Sequence, residues 1–136
     1  RKAGRGWYLY EDGKAVGPNP DVAPLIVAEA ARHGITRREL ADDSVMQTLL
    51  LALINEAADI LEEGIARAAA DIDLVLVHGY GFPRFLGGPL CHADGMGIGM
   101  IRDRLVALQQ NDTVIWTPSP LIHRLADAGA GFLDRA

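Results

Sequence analysis

Apolar positions recur at helical spacing along much of this chain. The clearest run lies between Ser44 and Glu63, where Met46, Leu49, Leu50, Leu53, Ile54, Ala57, Ile60 and Leu61 follow one another in steps of three or one. Such steps trace one face of a helix, so this stripe is expected to face the core. Ser44 with Gln47 has the form of a capping box, and Gly64 that of a stop. An earlier helix is expected from Asp21 to His33, with Asp21 as cap and Gly34 as terminator. Pro24 falls in its first turn, where a missing backbone donor does little harm. A later helix is expected from Ile98 to Gln110, with Ile101, Leu105 and Leu108 inward. The last opens at Ser119-Pro120, an N-cap followed by Pro at the first helical position. Its inward residues are Leu121, Ile122 and Leu125, and Gly129 ends it.

Two stretches break this rhythm. Ala70 to Val77 contains Leu-Val-Leu-Val, which has strand propensity and cannot be typed by periodicity. No second clear strand offers it a partner, and an isolated strand leaves its backbone groups unpaired. The segment is therefore expected to be a short buried helix capped by Asp71. Directly after it comes a corner dense in backbone-restricting residues, Gly79, Gly81, Pro83, Gly87, Gly88 and Pro89, interleaved with Tyr80, Phe82 and Phe85. Its aromatics make it a shaped corner and not a disordered loop. The first 20 residues are turn-rich, with an aromatic run, Gly6 to Tyr10, that reads as extended. The expectation is an all-α chain of about five helices with short links.

The chain has 136 residues, enough to bury a core. Hydrophobic residues make up 49%, and the mean hydropathy is +0.11, at the apolar end for a domain of this size. Either the core is large or one face is normally covered. A net charge of -5, with basic residues scattered apart from Arg37-Arg38, argues against nucleic acid as a partner. The single Cys91 excludes an internal disulfide and fits a reducing compartment, here expected to be the cytoplasm. No apolar run is read as long enough to span a membrane. The opening Arg1-Lys2, without an initiator Met, suggests a piece of a longer polypeptide.

The candidate chemistry is thin. His33, His78, His92 and His123 lack metal-ligand spacing and have no Cys pair beside them. Adjacent Cys91 and His92 rarely point together as nucleophile and base, so a structural thiol is expected. Asp94, two residues after His92, reads as a turn cap. Gly95-Met96-Gly97-Ile98-Gly99 echoes a dinucleotide loop but lacks the strand before it and the spaced acid after it. Asn55 and Glu56 diverge by about 100° on a helix, so they read as polar contacts across a domain boundary. Arg84, between Phe82 and Phe85, is taken as a structural clamp, with a carboxylate or phosphate contact as the alternative.

Three blocks carry a family resemblance. They are Leu53-Ile54-Asn55-Glu56-Ala57 with Ile60 to Ala66, then Asp71-Ile72-Asp73, then His78 to Arg84 with Gly87-Gly88-Pro89. In this order they resemble the C-terminal helical domain of 3-hydroxyacyl-CoA dehydrogenases. The match is nearest to the second such domain of multifunctional fatty-acid β-oxidation enzymes, which join enoyl-CoA hydratase and dehydrogenase activities. Gly34 to Arg38 and the helix from Pro118 to Gly129 extend the likeness, which covers about residues 20–132. Lys2-Ala3-Gly4-Arg5-Gly6-Trp7-Tyr8 resembles the tail of the preceding helical domain. Cys91-His92 departs from the bulky or aromatic residue usual after the Gly-Gly-Pro turn, and Gly95 from a small hydroxyl residue.

The resemblance implies residues 1–19 as that tail with a linker, and residues 20–136 as the helical domain. It implies a parent that oxidises 3-hydroxyacyl-CoA to 3-ketoacyl-CoA with NAD. The NAD fold and catalytic residues would lie upstream, so no catalytic, cofactor or metal residue is assigned and the isolated chain is expected to be inactive. The expected partners are the preceding helical and NAD-binding domains, with acyl-CoA bound only in the parent. A weak homodimer is also expected. Candidate domain-interface residues are Asn55, Glu56, Tyr80, Phe82, Pro83, Arg84, Phe85, Gly87, Gly88 and Pro89. The rival from another class is a stand-alone helical interaction module without a metabolic role.

Overall fold

The computed structural model describes residues 3–134. Lys2 of the opening motif, the Arg1-Lys2 start and the last two residues of the expected domain lie outside the described residues. By compactness the chain divides into two units, one running to Leu40 and one from Ala41.

The first unit begins with an antiparallel hairpin of β1 (Tyr8–Glu11) and β2 (Lys14–Pro18). The aromatic run is thus extended, as expected, and pairs with a second strand absent from the sequence reading. Asp12 and Gly13 form the turn with φ of 48° and 78°. Asp-Gly favours such a turn because both central residues need positive φ. Helix α1 (Val22–Arg32) follows, and it buries no residue. Asp21 stands at its N-cap but makes no side-chain capping bond, while Gly34 at φ 65° ends the turn as expected. Asn19 ties the hairpin's entry to its exit, donating to the Gly6 carbonyl at 2.8 Å. Compactness places α1 with the hairpin, whereas the sequence reading starts the second domain at residue 20.

The second unit is five α-helices around one core. They are α2 (Asp42–Glu62), α3 (Ala69–Gly79), α4 (Pro89–Met96), α5 (Ile98–Gln109) and α6 (Pro120–Ala128), with a short 3-10 helix at Arg84–Leu86. Among the described residues the chain therefore has six α-helices and one two-stranded sheet, and is mostly helical as expected. Helix α2 packs on α4 and α6, α5 on α4 and α6, and α3 on α4. The fully enclosed side chains include Ile54, Leu90, Ile101, Leu105, Leu121, Ile122 and Phe132. The inward faces expected for the last two helices hold, with Leu108 at the margin of the core.

Four expectations change. The Ala70–Val77 stretch is helical, but its N-cap is Ala68 and Asp71 sits within the first turn. Helix α2 starts at Asp42 from an Ala41 cap, so Ser44 is already helical and there is no capping box. The stretch Pro89–Met96, where the corner ends at Pro89 and no helix is expected before Ile98, is helix α4, with Pro89 at its first turn. Finally, the buried stripe of α2 is Leu51, Ile54, Ala57 and Ala58, while Met46 and Leu49 are 65% and 61% exposed. Periodicity finds the helix but cannot choose between neighbouring apolar stripes when α2 carries apolar residues around much of its girth. The same richness makes α2, at 21 residues, long and apolar enough by composition to cross a membrane, contrary to the sequence reading. Its Ile54 and Asn55 side is enclosed by α4, α6 and the chain before α6.

Candidate functional site

Three polar side chains hold the second unit together. Helix α4 begins at Gly88, which has no side chain with which to cap it. Asp73 of α3 supplies the missing acceptor, taking the N–H groups of Leu90 at 2.8 Å and Cys91 at 3.0 Å. A Cβ on Gly88 would lie 2.3 Å from Asp73, and Gly88 has φ 125°, so only glycine admits this approach. Burial pushes the Asp73 carboxyl up, the two backbone donors pull it down, and the charge of Asp94 raises it slightly; the net direction is upward. Asp94 of α4 reaches the far end of the chain, accepting from Phe132 at 2.7 Å and Leu133 at 3.0 Å. It is thus a long-range clamp, where a cap of its own turn was expected. Asn55 donates to the Thr117 carbonyl at 2.9 Å and accepts from the Ser119 N–H at 2.8 Å, fixing the entry to α6.

Outside this frame lies an apolar groove of about 630 Å³ walled by α2 and α3. Its floor includes Leu53, Ala57, Ile60, Ile72 and Val75, with Tyr80 at one end. Glu56, Arg67 and Asp71 also line it, and none of the three has an ion-pair or side-chain hydrogen-bond partner among the described residues. By contrast, Glu62 near the end of α2 is held by Arg124, which donates through both terminal guanidinium nitrogens.

The ten candidate interface residues are therefore scattered over four settings. Glu56 and Tyr80 meet at the groove. Asn55 is 6% exposed and turned inward, so it is a fastener within the unit and not a contact at its surface. Phe82 is half-buried, Pro83 and Arg84 are exposed, and Phe85 is 88% exposed at the tip of the corner. Gly87, Gly88 and Pro89 build the entry to α4, with Gly88 and Pro89 buried. Arg84 has no side-chain partner among the described residues, so the clamp expected of it is not formed. Cys91 is free and half-buried against Gly87. No three His, Cys, Asp or Glu side chains converge as a metal site among the described residues. In the sequence Asp73 is one letter of a motif and Asp94 reads as a local cap; their partners lie 17 to 39 residues away, which no local pattern shows.

Comparison with known proteins agrees with this arrangement. Residues 45–131, nearly all of the second unit, match the family described as 3-hydroxyacyl-CoA dehydrogenase, C-terminal domain. The peroxisomal bifunctional enzyme of Danio rerio is 35% identical over 96% of this chain and 19% of its own length. A peroxisomal fatty acid beta-oxidation multifunctional protein of Arabidopsis thaliana is 32% identical over 93% of this chain and 18% of its own length. The fatty acid oxidation complex subunit alpha of Pseudomonas syringae is 29% identical over the whole chain and 19% of its own length. The chain thus spans about a fifth of the length of these curated relatives. Two of the names place those proteins in the peroxisome, so the cytoplasmic expectation does not follow from its relatives. With the matched segment covering most of the chain, and the Asp71-Ile72-Asp73 and Gly87-Gly88-Pro89 blocks meeting in one latch, the protein belongs to the 3-hydroxyacyl-CoA dehydrogenase C-terminal domain family.

Proposed function

We propose that this chain is the second C-terminal helical domain of an NAD-dependent, multifunctional 3-hydroxyacyl-CoA dehydrogenase, and that it buttresses the catalytic domains without contributing a catalytic residue. The parent oxidises 3-hydroxyacyl-CoA to 3-ketoacyl-CoA during fatty-acid β-oxidation, with NAD and acyl-CoA held elsewhere on it. The segment up to residue 19 is then the tail of the preceding helical domain, and the helical domain runs from residue 20. The observation that carries this reading is the use made of the inward polar groups. Asn55, Asp73 and Asp94 are all engaged in holding backbone N–H or C=O groups, which suits a scaffold. The groove and the exposed corner at Phe85 are open to partners.

The partners are the preceding helical and NAD-binding domains. An isolated chain that lacks them is expected to self-associate weakly through the bare corner. For location, a compartment that keeps Cys91 reduced is proposed, whether cytoplasm or organelle lumen. The test is an assay for NADH formation from a 3-hydroxyacyl-CoA. The purified chain is expected to match the buffer control, and NADH above that level overturns the reading.

A further inference from the structure

We propose that the groove between α2 and α3 seats an amphipathic helix with basic flanks, presented by the protein surface that this domain supports. The inference rests on the docking role proposed above and adds the chemistry of the occupant.

The shape comes first. Met46, Leu49 and Leu53 follow at helical spacing along one side of α2, and the stripe continues into the groove at Ile60. From Met46 to Ile60 it runs roughly 21 Å at the rise of an ideal helix, the length of about four turns. Met46 and Leu49 are mostly exposed, as are Ile65 at 71% and Val75 at 58%. A helix lying along α2 would cover this stripe with its own apolar positions, the usual helix-in-groove arrangement.

Charge then decides what that helix carries beside its apolar face. Neither α2 nor α3 contains a Lys or Arg, while both carry exposed carboxylates. Glu56 of α2 and Asp71 of α3 line the groove without partners among the described residues. Lys or Arg on both flanks of the occupant would meet them. Arg67, just before α3, is the exception, and it suits the carbonyl-rich end or an acidic residue of the seated helix. The same acidic lining disfavours an anionic lipid surface. It also disfavours a second copy laid α2 against α2, since like charges would meet.

A dye-labelled synthetic helical peptide of about four turns, with Leu on one face and Lys on both flanks, is the probe. Fluorescence anisotropy with the full chain is expected to give saturable binding that weakens with added salt. The same peptide with Glu in place of Lys is expected to bind at least about tenfold more weakly. Glu56→Lys combined with Asp71→Lys is expected to reverse that preference, and Leu53→Asp to remove binding of both peptides. Both rim side chains are exposed, so the charge-reversed variant tests the idea even if Leu53→Asp fails to fold. Equal affinity for the two peptides, or binding of neither, overturns the proposal. So does uptake of the chain by anionic vesicles, or a dimer in sedimentation velocity, that Leu53→Asp abolishes. Peptide failure by an inactive chain removes this inference alone, whereas dehydrogenase activity of the chain removes the reading beneath it.

Discussion

The two sides of α2 do different work. On one side Leu51, Ile54 and Ala58 sink into the seam with α4 and α6, and Asn55 pins the approach to α6. On the other, Leu53, Glu56 and Ile60 line a groove whose charges are unmatched. The residues are of the same types and alternate along one helix. What separates them is whether a neighbouring element closes over them. A closed side holds the fold, and an open apolar side with unpaired charge is where a partner can add free energy.

The comparison breaks most readily at the closed side. Ile54→Ala removes a fully enclosed side chain and is expected to destabilise the chain by about 2–5 kcal/mol, read from denaturant unfolding. A loss no larger than that of a surface substitution would mean the seam is not the core. Gly88→Ala comes next. It forces a Cβ against Asp73 and a residue with a side chain into positive φ, and about 3 kcal/mol is expected. Thermal unfolding checks it, and an unchanged midpoint would show that the α3–α4 latch is slack.

Asn55→Ala leaves the buried Ser119 N–H without its acceptor and the Thr117 carbonyl without its donor. About 1–3 kcal/mol is expected. Hydrogen exchange localises the effect, with faster exchange at Ser119 and the first turn of α6 and little change at the groove.

Asp73 sharpens the contrast through pH. Its folded pKa is raised above the ordinary 3.8, chiefly by burial. A raised pKa means the folded state holds the proton more tightly, so this contribution is fully present below 3.8 and is lost as pH rises through the folded value. The stability of the native chain relative to Asp73→Asn is therefore expected to fall as pH rises across that acidic window. Unfolding free energies of both proteins at several pH values test the sign, and a difference that grows with pH would reverse it.

The smallest effect is expected at the open side. Leu53→Ala, at a half-buried position in the floor of the groove, is expected to change stability by about 1 kcal/mol or less. Its main effect is on peptide binding. A loss as large as that of Ile54→Ala would show that the groove is part of the core.

Much of this was open to inspection in the residues. The long helix, the Ser119-Pro120 start of α6, and the Gly64 and Gly129 stops follow from local backbone chemistry, which acts within a turn or two. The Asp12-Gly13 pair carries a hairpin signal in the sequence itself, since both turn residues need positive φ. The family was legible in the ordered blocks from Leu53 to Pro89, because residue identity and order are carried by the chain itself and need no geometry. Helix α4 was masked by the Gly-Pro density of its entry and by Gly95 within it, since its cap comes from Asp73 in another helix.

What only the tertiary structure decided is which way each side chain turns. Local pattern could not tell that Asn55 faces Thr117 and Ser119 while Glu56, one residue on, faces the groove. It could not send Asp94 to Phe132, nor leave Arg84 without the partner expected for it. Helix identity depends on neighbours a few residues apart and is written in spacing. Burial depends on which distant segment arrives, and when several apolar stripes share one helix that choice is made by packing.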